Sequence, residues 1–321
     1  MRLFVKIKYF TIFVTSLFFM MSCGKSEESN NNIKTVDDSL AVTIGVFPSL
    51  DALPLILAND WGIMDSLGIS AKFYVYRSQM DCEKALSDNK VDVAMTDMFR
   101  VAWWQWQKKP MRFAYVTRRQ LSVVPNKALR MTNIDQLDDH MIAMSRFSLD
   151  DYYCDKVIKL IKKRKGQILT PQINSVELRF KMLKSGQVDA AILSQMQVYK
   201  AKQYKNTSLD VKLELNDGFA GIAFNTNSLT DKRKRKQMYK LMFAYNIVVN
   251  KLAKMKAMPE IDSPATKSLF LDNQTVRMIN PKEDFILMKN GNYSYAEESV
   301  KWLKQHSAIG NGYMADTLLV E

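Results

Sequence analysis

Histidine and cysteine are scarce in this sequence, with two and three residues respectively among 321. Neither His140 nor His306 stands beside a Cys, Ser or carboxylate at a spacing typical of a metal site or a catalytic triad. The sequence also lacks a phosphate-binding loop and the glycine signature of a dinucleotide site. We therefore expect no catalytic residue, no bound metal and no cofactor.

The apolar run at residues 9–21 is too short to span a bilayer comfortably. It follows Arg2, Lys6 and Lys8. Positive charges followed by a short apolar run are typical of a secretory signal. We therefore predict that residues 1–22 are a signal peptide and do not belong to the fold.

Cys23 stands directly after Ser22 at the end of this run, which resembles the lipobox of bacterial lipoproteins. The resemblance implies that the Cys23 sulfur is lipidated, although Met20 and Met21 depart from the usual lipobox residues. A plain secreted protein in which Cys23 is incidental is the alternative. Residues 23–40 lack apolar periodicity and are rich in Ser, Asn and acids, which predicts a flexible tether.

Basic residues outnumber acidic ones. Without the predicted signal, 43 Lys and Arg stand against 33 Asp and Glu, a formal charge of +10 instead of +13. Much of the excess lies in two runs, at residues 159–165 and 232–236. These runs either contact anionic lipid headgroups or nucleic acid, or are solvated helix ends whose charges oppose a helix dipole. Neither run is interleaved with aromatics, and an exported chain rarely meets nucleic acid, so we expect no nucleic-acid partner.

The pattern L-x-x-x-x-V-D-x-A occurs twice, at residues 86–94 and 183–191. Each copy predicts the last turn of a helix, a turn and a short buried strand. Asn89 and Gly186 occupy the same place in the two copies, and both residue types tolerate the left-handed conformation that closes a helix. The repeat is either a shared structural unit or a chance recurrence of a short apolar pattern.

Strands and helices alternate along the rest of the chain. The pattern predicts strands at residues 41–46, 71–76, 91–95, 113–117, 140–145, 188–193 and 219–225. It predicts helices at residues 53–61, 80–87, 101–107, 149–163 and 176–184. Such alternation favours an α/β fold with mostly parallel sheets flanked by helices, and ligands bind beyond the carboxyl ends of the strands in these sheets.

Several segments together resemble type 2 periplasmic solute-binding proteins of ABC importers, specifically the nitrate, sulfonate, taurine and thiamine-precursor group. The segments are residues 43–98, 133–160, 176–196, 219–229 and 295–321. The resemblance implies a two-lobed, hinged, ligand-trapping protein joined by two crossovers, near residues 115–119 and 221–225. One lobe would contain residues 41–116 and 225–321, and the other residues 117–224. Cys82 and Cys154 would then fall in different lobes, which favours two buried thiols over a disulfide.

Polar residues at the expected strand ends are the candidates for ligand binding. They are Ser49, Asp51, Arg77, Thr96 and Asp97 in the first lobe, and Ser145, Arg146, Ser148, Ser194 and Gln195 in the second. Their hydroxyl, amide and guanidinium groups suit a small polar ligand. Arg77 and Arg146 could close onto one anionic group, while Asp51 and Asp97 favour a ligand that also carries an amine or ring nitrogen. Ser49 and Ser148 could instead be plain helix caps.

The resemblance implies a lipid-anchored, monomeric protein of the cell envelope, facing the periplasm or the cell exterior. Its partners would be a sulfonate-like or pyrimidine-like small molecule, an ABC permease, and the membrane through its lipid. A vitamin-precursor enzyme on the same fold is one alternative. An envelope-surface adaptor is another, because Trp103, Trp104 and Trp106 could form an exposed patch, although a packed helix is the other interpretation of these residues.

Overall fold

The computed structural model describes residues 40–162, 164–211, 213, 215 and 217–320. The predicted signal peptide at residues 1–22, the predicted tether up to residue 39, and Cys23 lie outside the described residues. None of the described helices combines the length and the apolar character that a membrane-spanning segment needs.

The described residues form nine strands and eleven α-helices, joined by short 3-10 turns and loops. The strands are β1 (Val42–Val46), β2 (Ala71–Val75), β3 (Val93–Asp97), β4 (Met111–Val116), β5 (Leu121–Pro125), β6 (Ile142–Ala143), β7 (Ala190–Ser194), β8 (Ala220–Asn225) and β9 (Lys289–Asn290). The helices are α1 (Leu53–Asp60), α2 (Ile63–Ser66), α3 (Gln79–Ser87), α4 (Met98–Trp106), α5 (Leu149–Leu160), α6 (Val176–Lys184), α7 (Gln195–Gln203), α8 (Lys232–Leu252), α9 (Pro264–Ser268), α10 (Asn273–Met278) and α11 (Tyr293–Gln305).

The strands form two mixed sheets, one in each lobe. The larger sheet has the order β2-β1-β3-β8-β4-β9, and the smaller one has the order β5-β7-β6. In the larger sheet β1 pairs in parallel with β2 and β3, whereas β8 is antiparallel to β3 and β4. The predicted two-lobed α/β fold is confirmed, and strands β8 and β9, which run against the other four, make the larger sheet mixed.

The two connections between the sheets differ from the expected positions. The first crossover occupies residues 117–120, between β4 and β5. We expected the second at residues 221–225, but these residues belong to β8 and pair with β3 and β4. The second crossover therefore ends before β8 begins at Ala220 and not at residue 225. The chain joins the larger sheet there because the apolar residues of β8 are fully buried between two strands of that sheet.

The repeated pattern forms the same structure in both lobes. Asn89 has φ 58° and Gly186 has φ 75°, so the predicted left-handed turn is confirmed in each copy. The equivalence extends further than the pattern, because α3, β3 and α4 contain 9, 5 and 9 residues and α6, β7 and α7 contain 9, 5 and 9. We call residues 79–106 the first unit and residues 176–203 the second unit.

An aromatic cluster joins the lobes. The ring of Phe99 in α4 lies 4.7 Å from the ring of Tyr152 in α5, and both pack against Phe219. Tyr152 and Met196, from the second-lobe helices, are part of the large core of the first lobe. Burial of an aromatic side chain stabilises a fold by about 1.5–3 kcal/mol, so this cluster stabilises the contact between the lobes. Cys82 and Cys154 are free and buried, as predicted.

Candidate ligand-binding site

Four predicted site residues of the first lobe lie together at the ends of β1 and β3. Ser49, Asp51, Thr96 and Asp97 are all at most 1% exposed. They are neighbours because β1 and β3 are parallel, so the carboxyl ends of both strands reach the same edge of the sheet. This edge faces the second lobe, since the backbone N–H of Leu149 donates to Asp97 Oδ2 over 3.1 Å.

Arg119, from the first crossover, lies across these strand ends. It donates to Asp51 Oδ2 over 3.1 Å, to Gln79 Oε1 over 2.8 Å and to the carbonyl of Thr96 over 3.3 Å. Its guanidinium also lies 4.9 Å from the centre of the Phe47 ring. Burial lowers the pKa of Arg119, but the charges of Asp51 and Asp97 outweigh it and the pKa is raised.

Glu83 of α3 is the second centre of charge, and it is fully buried. Its carboxylate accepts from Gln79 Nε2 over 2.8 Å, from Thr96 Oγ1 over 2.7 Å, from Arg100 Nε over 2.7 Å and from Trp104 Nε1 over 2.9 Å. Four donors on one carboxylate, including a guanidinium, offset much of the cost of burying its charge. We call Asp51, Gln79, Glu83, Asp97, Arg100 and Arg119 the cleft network.

Asp97 links the cleft network to the second lobe. Its Oδ1 accepts from the backbone N–H of Arg100, in the first turn of α4, while Oδ2 accepts from Gln79 as well as Leu149. Burial, together with the charge of Glu83, raises the pKa of Asp97 to about 6, against the opposing effect of the Gln79 hydrogen bond. The protonation state of Asp97 therefore changes within a pH range that proteins commonly meet.

Four buried polar atoms of this region have no hydrogen-bond partner among the described residues. They are Ser49 Oγ, Asp51 Oδ1, Arg100 Nη2 and Arg119 Nε. Buried polar groups are nearly always paired, and exceptions gather at functional sites. The strand ends of the first lobe therefore retain hydrogen-bonding capacity that the protein itself does not use.

The predicted residues of the second lobe make local hydrogen bonds. Ser148 caps α5 by accepting from the N–H of Asp150, which supports the capping interpretation for this residue. Ser49 makes no such cap, although it precedes a 3-10 turn. Ser145 donates to Asn174, and Ser194 donates to Gln197. The Gln197 amide reaches the first lobe by donating to the carbonyl of Pro48 over 3.3 Å.

Arg77 and Arg146, the predicted two-arginine clamp, are both exposed. Arg146 donates to Thr170 over 3.4 Å, and its own carbonyl accepts from Arg100 over 3.3 Å. The buried guanidinium groups at the strand ends come instead from Arg100 and Arg119.

Two internal spaces lie beside the cleft network. A cavity of about 250 Å³ is lined by residues of both crossover regions and the second lobe, among them Thr117, Arg119, Ser122, Tyr153 and Gln195. A smaller space of about 10 Å³ is lined by Asp51, Arg119, Ser194 and Gln195 and others. The structure therefore brings Asp51, Ser194 and Gln195 together around the smaller space. Tyr153 is 5% exposed, and burial raises its pKa to about 12.

Sequence reasoning missed Gln79, Glu83, Arg100, Arg119 and Tyr153. The candidates for ligand binding were taken from the expected strand ends. These five residues lie within helices or in the crossover instead. No local pattern singled out Glu83, because Asp81 and Lys84 beside it are charged as well and the helix gives no clear apolar face around it.

The three tryptophans after β3 are mostly packed. Trp104 is 9% exposed, while Trp103 contacts Trp104 and stacks on Phe147 at a ring distance of 6.2 Å. Trp106 is 41% exposed and contacts Tyr313. Packing accordingly explains two of the three rings better than an exposed patch does.

Comparison with solved structures identifies the fold. A ligand-binding component of an ABC-type import system from Staphylococcus aureus, with zinc bound, has a TM-score of 0.68 at 12% identity, covering 87% of this chain and 96% of its own. The alkanesulfonate-binding protein SsuA from Xanthomonas axonopodis pv. citri, bound to MOPS, has a TM-score of 0.67 at 13% identity, covering 88% and 98%. The periplasmic nitrate-binding protein NrtA from Synechocystis PCC 6803 has a TM-score of 0.66 at 10% identity, covering 88% and 85%.

These likenesses show the two-lobed fold of periplasmic binding proteins over nearly the whole described chain. No protein-family model and no curated protein matches the sequence. Among the described residues there is no group of three or more His, Cys, Asp or Glu that could hold a metal ion.

Proposed function

We propose that the chain is the solute-binding component of an ABC importer and holds a small polar ligand between its lobes. The lobes would comprise residues 41–116 with 225–321, and residues 117–224, except that β8 pairs within the larger sheet and belongs with the first lobe. The observation that carries this proposal is the cavity of about 250 Å³, lined by the two crossover regions and the second lobe. It lies next to the smaller space in which Asp51 of the first lobe meets Ser194 and Gln195 of the second. Small-molecule sites are concave and combine apolar walls with a few converging polar groups, which suits Leu149, Tyr153 and Gln195.

The chemistry at the cleft favours a ligand with both an acceptor and a donor group. Arg119, Tyr153 and Gln195 can donate to an acidic or carbonyl oxygen, and Asp51 can accept from an amine or ring nitrogen. A zwitterionic sulfonate or a pyrimidine-like molecule has both kinds of group. The neighbours named above are described with different ligands, an alkanesulfonate, nitrate and zinc, so the ligand class rests on the side chains of this chain.

Mass spectrometry of small molecules released from the purified protein tests the binding function. We expect one polar compound in stoichiometric amount, recovered unchanged after prolonged incubation with the protein. A chemically modified product would favour the alternative of an enzyme on this fold. Protein that carries no compound, and whose melting temperature no polar metabolite raises, would contradict the proposal.

The released compound then allows a test of the cavity. Gln195→Ala should weaken its binding by about 3- to 10-fold in calorimetry, because one neutral hydrogen bond contributes about 0.5–1.5 kcal/mol. Gln167→Ala, at an exposed position of the same lobe, is the matched control and should leave the affinity unchanged. Equal affinities for all three proteins would place the ligand elsewhere.

The predicted two-arginine clamp has a separate test. If closure brings Arg77 and Arg146 onto an anionic ligand group, each change to Ala should cost about 1.5–3 kcal/mol of binding free energy. Unchanged affinity for both variants would end the clamp hypothesis and leave Arg119 as the cation at the site.

We further propose that the protein is a monomeric lipoprotein of the cell envelope, anchored through Cys23 and delivering its ligand to an ABC permease. The support is the short apolar run that ends at Cys23. Cys23→Ala should move the protein from the membrane fraction to the soluble fraction. An unchanged membrane fraction for this variant would remove the lipid anchor from the proposal.

A further inference from the structure

The outer face of α8 carries an unusual concentration of positive charge. Between residues 232 and 259 the sequence contains nine basic residues and no Asp or Glu. The basic residues are Lys232, Arg233, Lys234, Arg235, Lys236, Lys240, Lys251, Lys254 and Lys256. Two acidic side chains contact the start of α8, Asp92 as the partner of Lys234 and Asp231 as the helix cap, which leaves a clear positive excess.

The orientation of α8 places apolar side chains in the middle of this charge. Buried residues such as Leu241, Tyr245 and Val248 pack one face of α8 onto the first lobe. On the opposite face Phe243 is 56% exposed and Ile247 is 37% exposed, one turn apart. Basic residues at 232–236 and at 251–256 flank this pair on either side. The exposed face therefore has two apolar side chains between two basic groups.

The helix dipole does not account for the run at residues 232–236. In the other basic run, Lys159 lies in the last turn of α5, where a cation is favourable, and pairs with Asp155. The run at 232–236 occupies the first turns of α8, where cations oppose the dipole. Asp231 caps this helix and Lys234 pairs with Asp92, but the other four cations of the run are exposed or face solvent.

The N-terminal segment of the chain meets the fold at α8. Leu40 is the first described residue, and its carbonyl accepts from Gln237 Nε2 of α8 over 3.2 Å. The sequence from Cys23 to Leu40 can reach at most about 60 Å. A lipid on Cys23 would therefore hold the protein to the membrane through a segment that begins beside the basic face.

We infer that the outer face of α8, with the residues up to 256, docks on an anionic lipid surface. The Lys and Arg side chains would contact headgroups, while Phe243 and Ile247 would enter the boundary between headgroups and acyl chains. One basic residue near such a surface changes partitioning by about 5-fold, so several together bind appreciably. The inference rests in part on the proposed lipid anchor, which would make this docking intramolecular.

The test uses the full-length protein as the cell processes it, with a fluorophore that responds to polarity attached at Ile247→Cys. Cys82 and Cys154 are buried, so the fluorophore should not react with them. Labelling of the unsubstituted protein measures any fluorescence that comes from Cys23. Leu178→Cys, 50% exposed in the second lobe, is the control position. Vesicles are phosphatidylcholine alone or phosphatidylcholine with about 30 mol% phosphatidylglycerol.

We expect the probe at 247 to move to an apolar environment only with phosphatidylglycerol, and about 0.5 M salt should reverse the change. The probe at 178 should not respond. Arg235→Glu with Lys236→Glu should weaken the response at least about 30-fold in lipid concentration. Arg164→Glu with Lys165→Glu makes the same change of net charge in the other run and should leave the response intact.

Flotation of the vesicles separates the docking surface from the anchor. Flotation with both vesicle types, with a probe response only on anionic lipid, supports both ideas. Flotation with anionic vesicles alone, accompanied by the response, supports docking and contradicts the anchor. Flotation without any response at 247 overturns the docking surface and leaves the anchor intact. A response to dissolved DNA or polyglutamate but not to anionic vesicles would also overturn it, in favour of a soluble polyanion.

Discussion

The first unit, residues 79–106, and the second unit, residues 176–203, place a buried side chain at the same position of their first helix. That side chain is Glu83 in the first unit and Phe180 in the second. The last residue of the strand is Asp97 in one and Ser194 in the other. Helix lengths and the left-handed turn are the same in both, so the backbone accepts either a charged or a neutral side chain at each of these two positions.

The difference lies in how each unit satisfies its buried polar groups. In the first unit Glu83 needs four donors, and two of them, Arg100 and Gln79, also connect to Asp97 or Arg119. In the second unit Ser194 donates to Gln197, and the buried Arg179 guanidinium pairs with a single carboxylate, Asp150 of α5. Buried charges make strongly coupled networks in a medium of low dielectric, whereas neutral pairs are local. We therefore expect the free energy of unfolding to depend more strongly on substitutions and on pH at the first unit than at the second.

The largest effect should come from Glu83→Ala. Removal of this carboxylate leaves Arg100 as an uncompensated buried charge, which should lower the free energy of unfolding by about 3–5 kcal/mol. Glu177→Ala is the comparison in the second unit, because the Glu177 side chain is 20% exposed and water can replace part of its interaction with Lys200, so it should cost less, about 1–2 kcal/mol. Urea unfolding followed by tryptophan fluorescence measures both. Similar losses would contradict the contrast between the units.

The next effect concerns pH and Asp97. Its pKa is about 6 in the fold and about 3.9 in an unfolded chain, so between these values the folded protein holds a proton that the unfolded chain releases. Stability from this group is therefore present at low pH and is lost as the pH rises through 6, by up to about 3 kcal/mol. The variant Asp97→Asn should lack this decline, whereas Ser194→Ala at the equivalent position should keep it. Unfolding curves measured from pH 4 to 7.5 test this prediction. If the free energy of unfolding changes with pH in the same way for Asp97→Asn and for the unsubstituted protein, the prediction is wrong.

The sequence was sufficient to predict the repeat but not its full extent. Residues 86–94 and 183–191 share a pattern because a helix end, a turn and a buried strand restrict the residues that fit. Outside these stretches Glu83 and Phe180 have no chemistry in common, so the equivalence of the helices is visible only in the backbone. The strands around the repeats were predicted to within a few residues for the same reason.

The cleft could be predicted only in part. Asp51, Thr96 and Asp97 were found because they lie at or soon after the predicted ends of strands. Arg119 was missed because its guanidinium contacts the strand ends from the crossover. No local sequence pattern predicts a contact between residues so far apart in the chain. Helix α8 was missed as well, since its basic first turns resemble a solvated loop or helix end until the buried face beyond residue 237 is seen.

The smallest effect compares the turns of the two units at Asn89 and Gly186. A Cβ at Gly186 would meet only Asn126 Nδ2, at 3.7 Å, so a substitution there is limited by the backbone angle and not by space. Gly186→Ala should cost about 1 kcal/mol of unfolding free energy, because φ of 75° is unfavourable for a residue with a Cβ. Gly186→Asn should cost less than half of this, since Asn tolerates the conformation and serves at the same place in the first unit. Thermal unfolding of both variants distinguishes them, and equal losses would show that something other than the turn conformation limits this position.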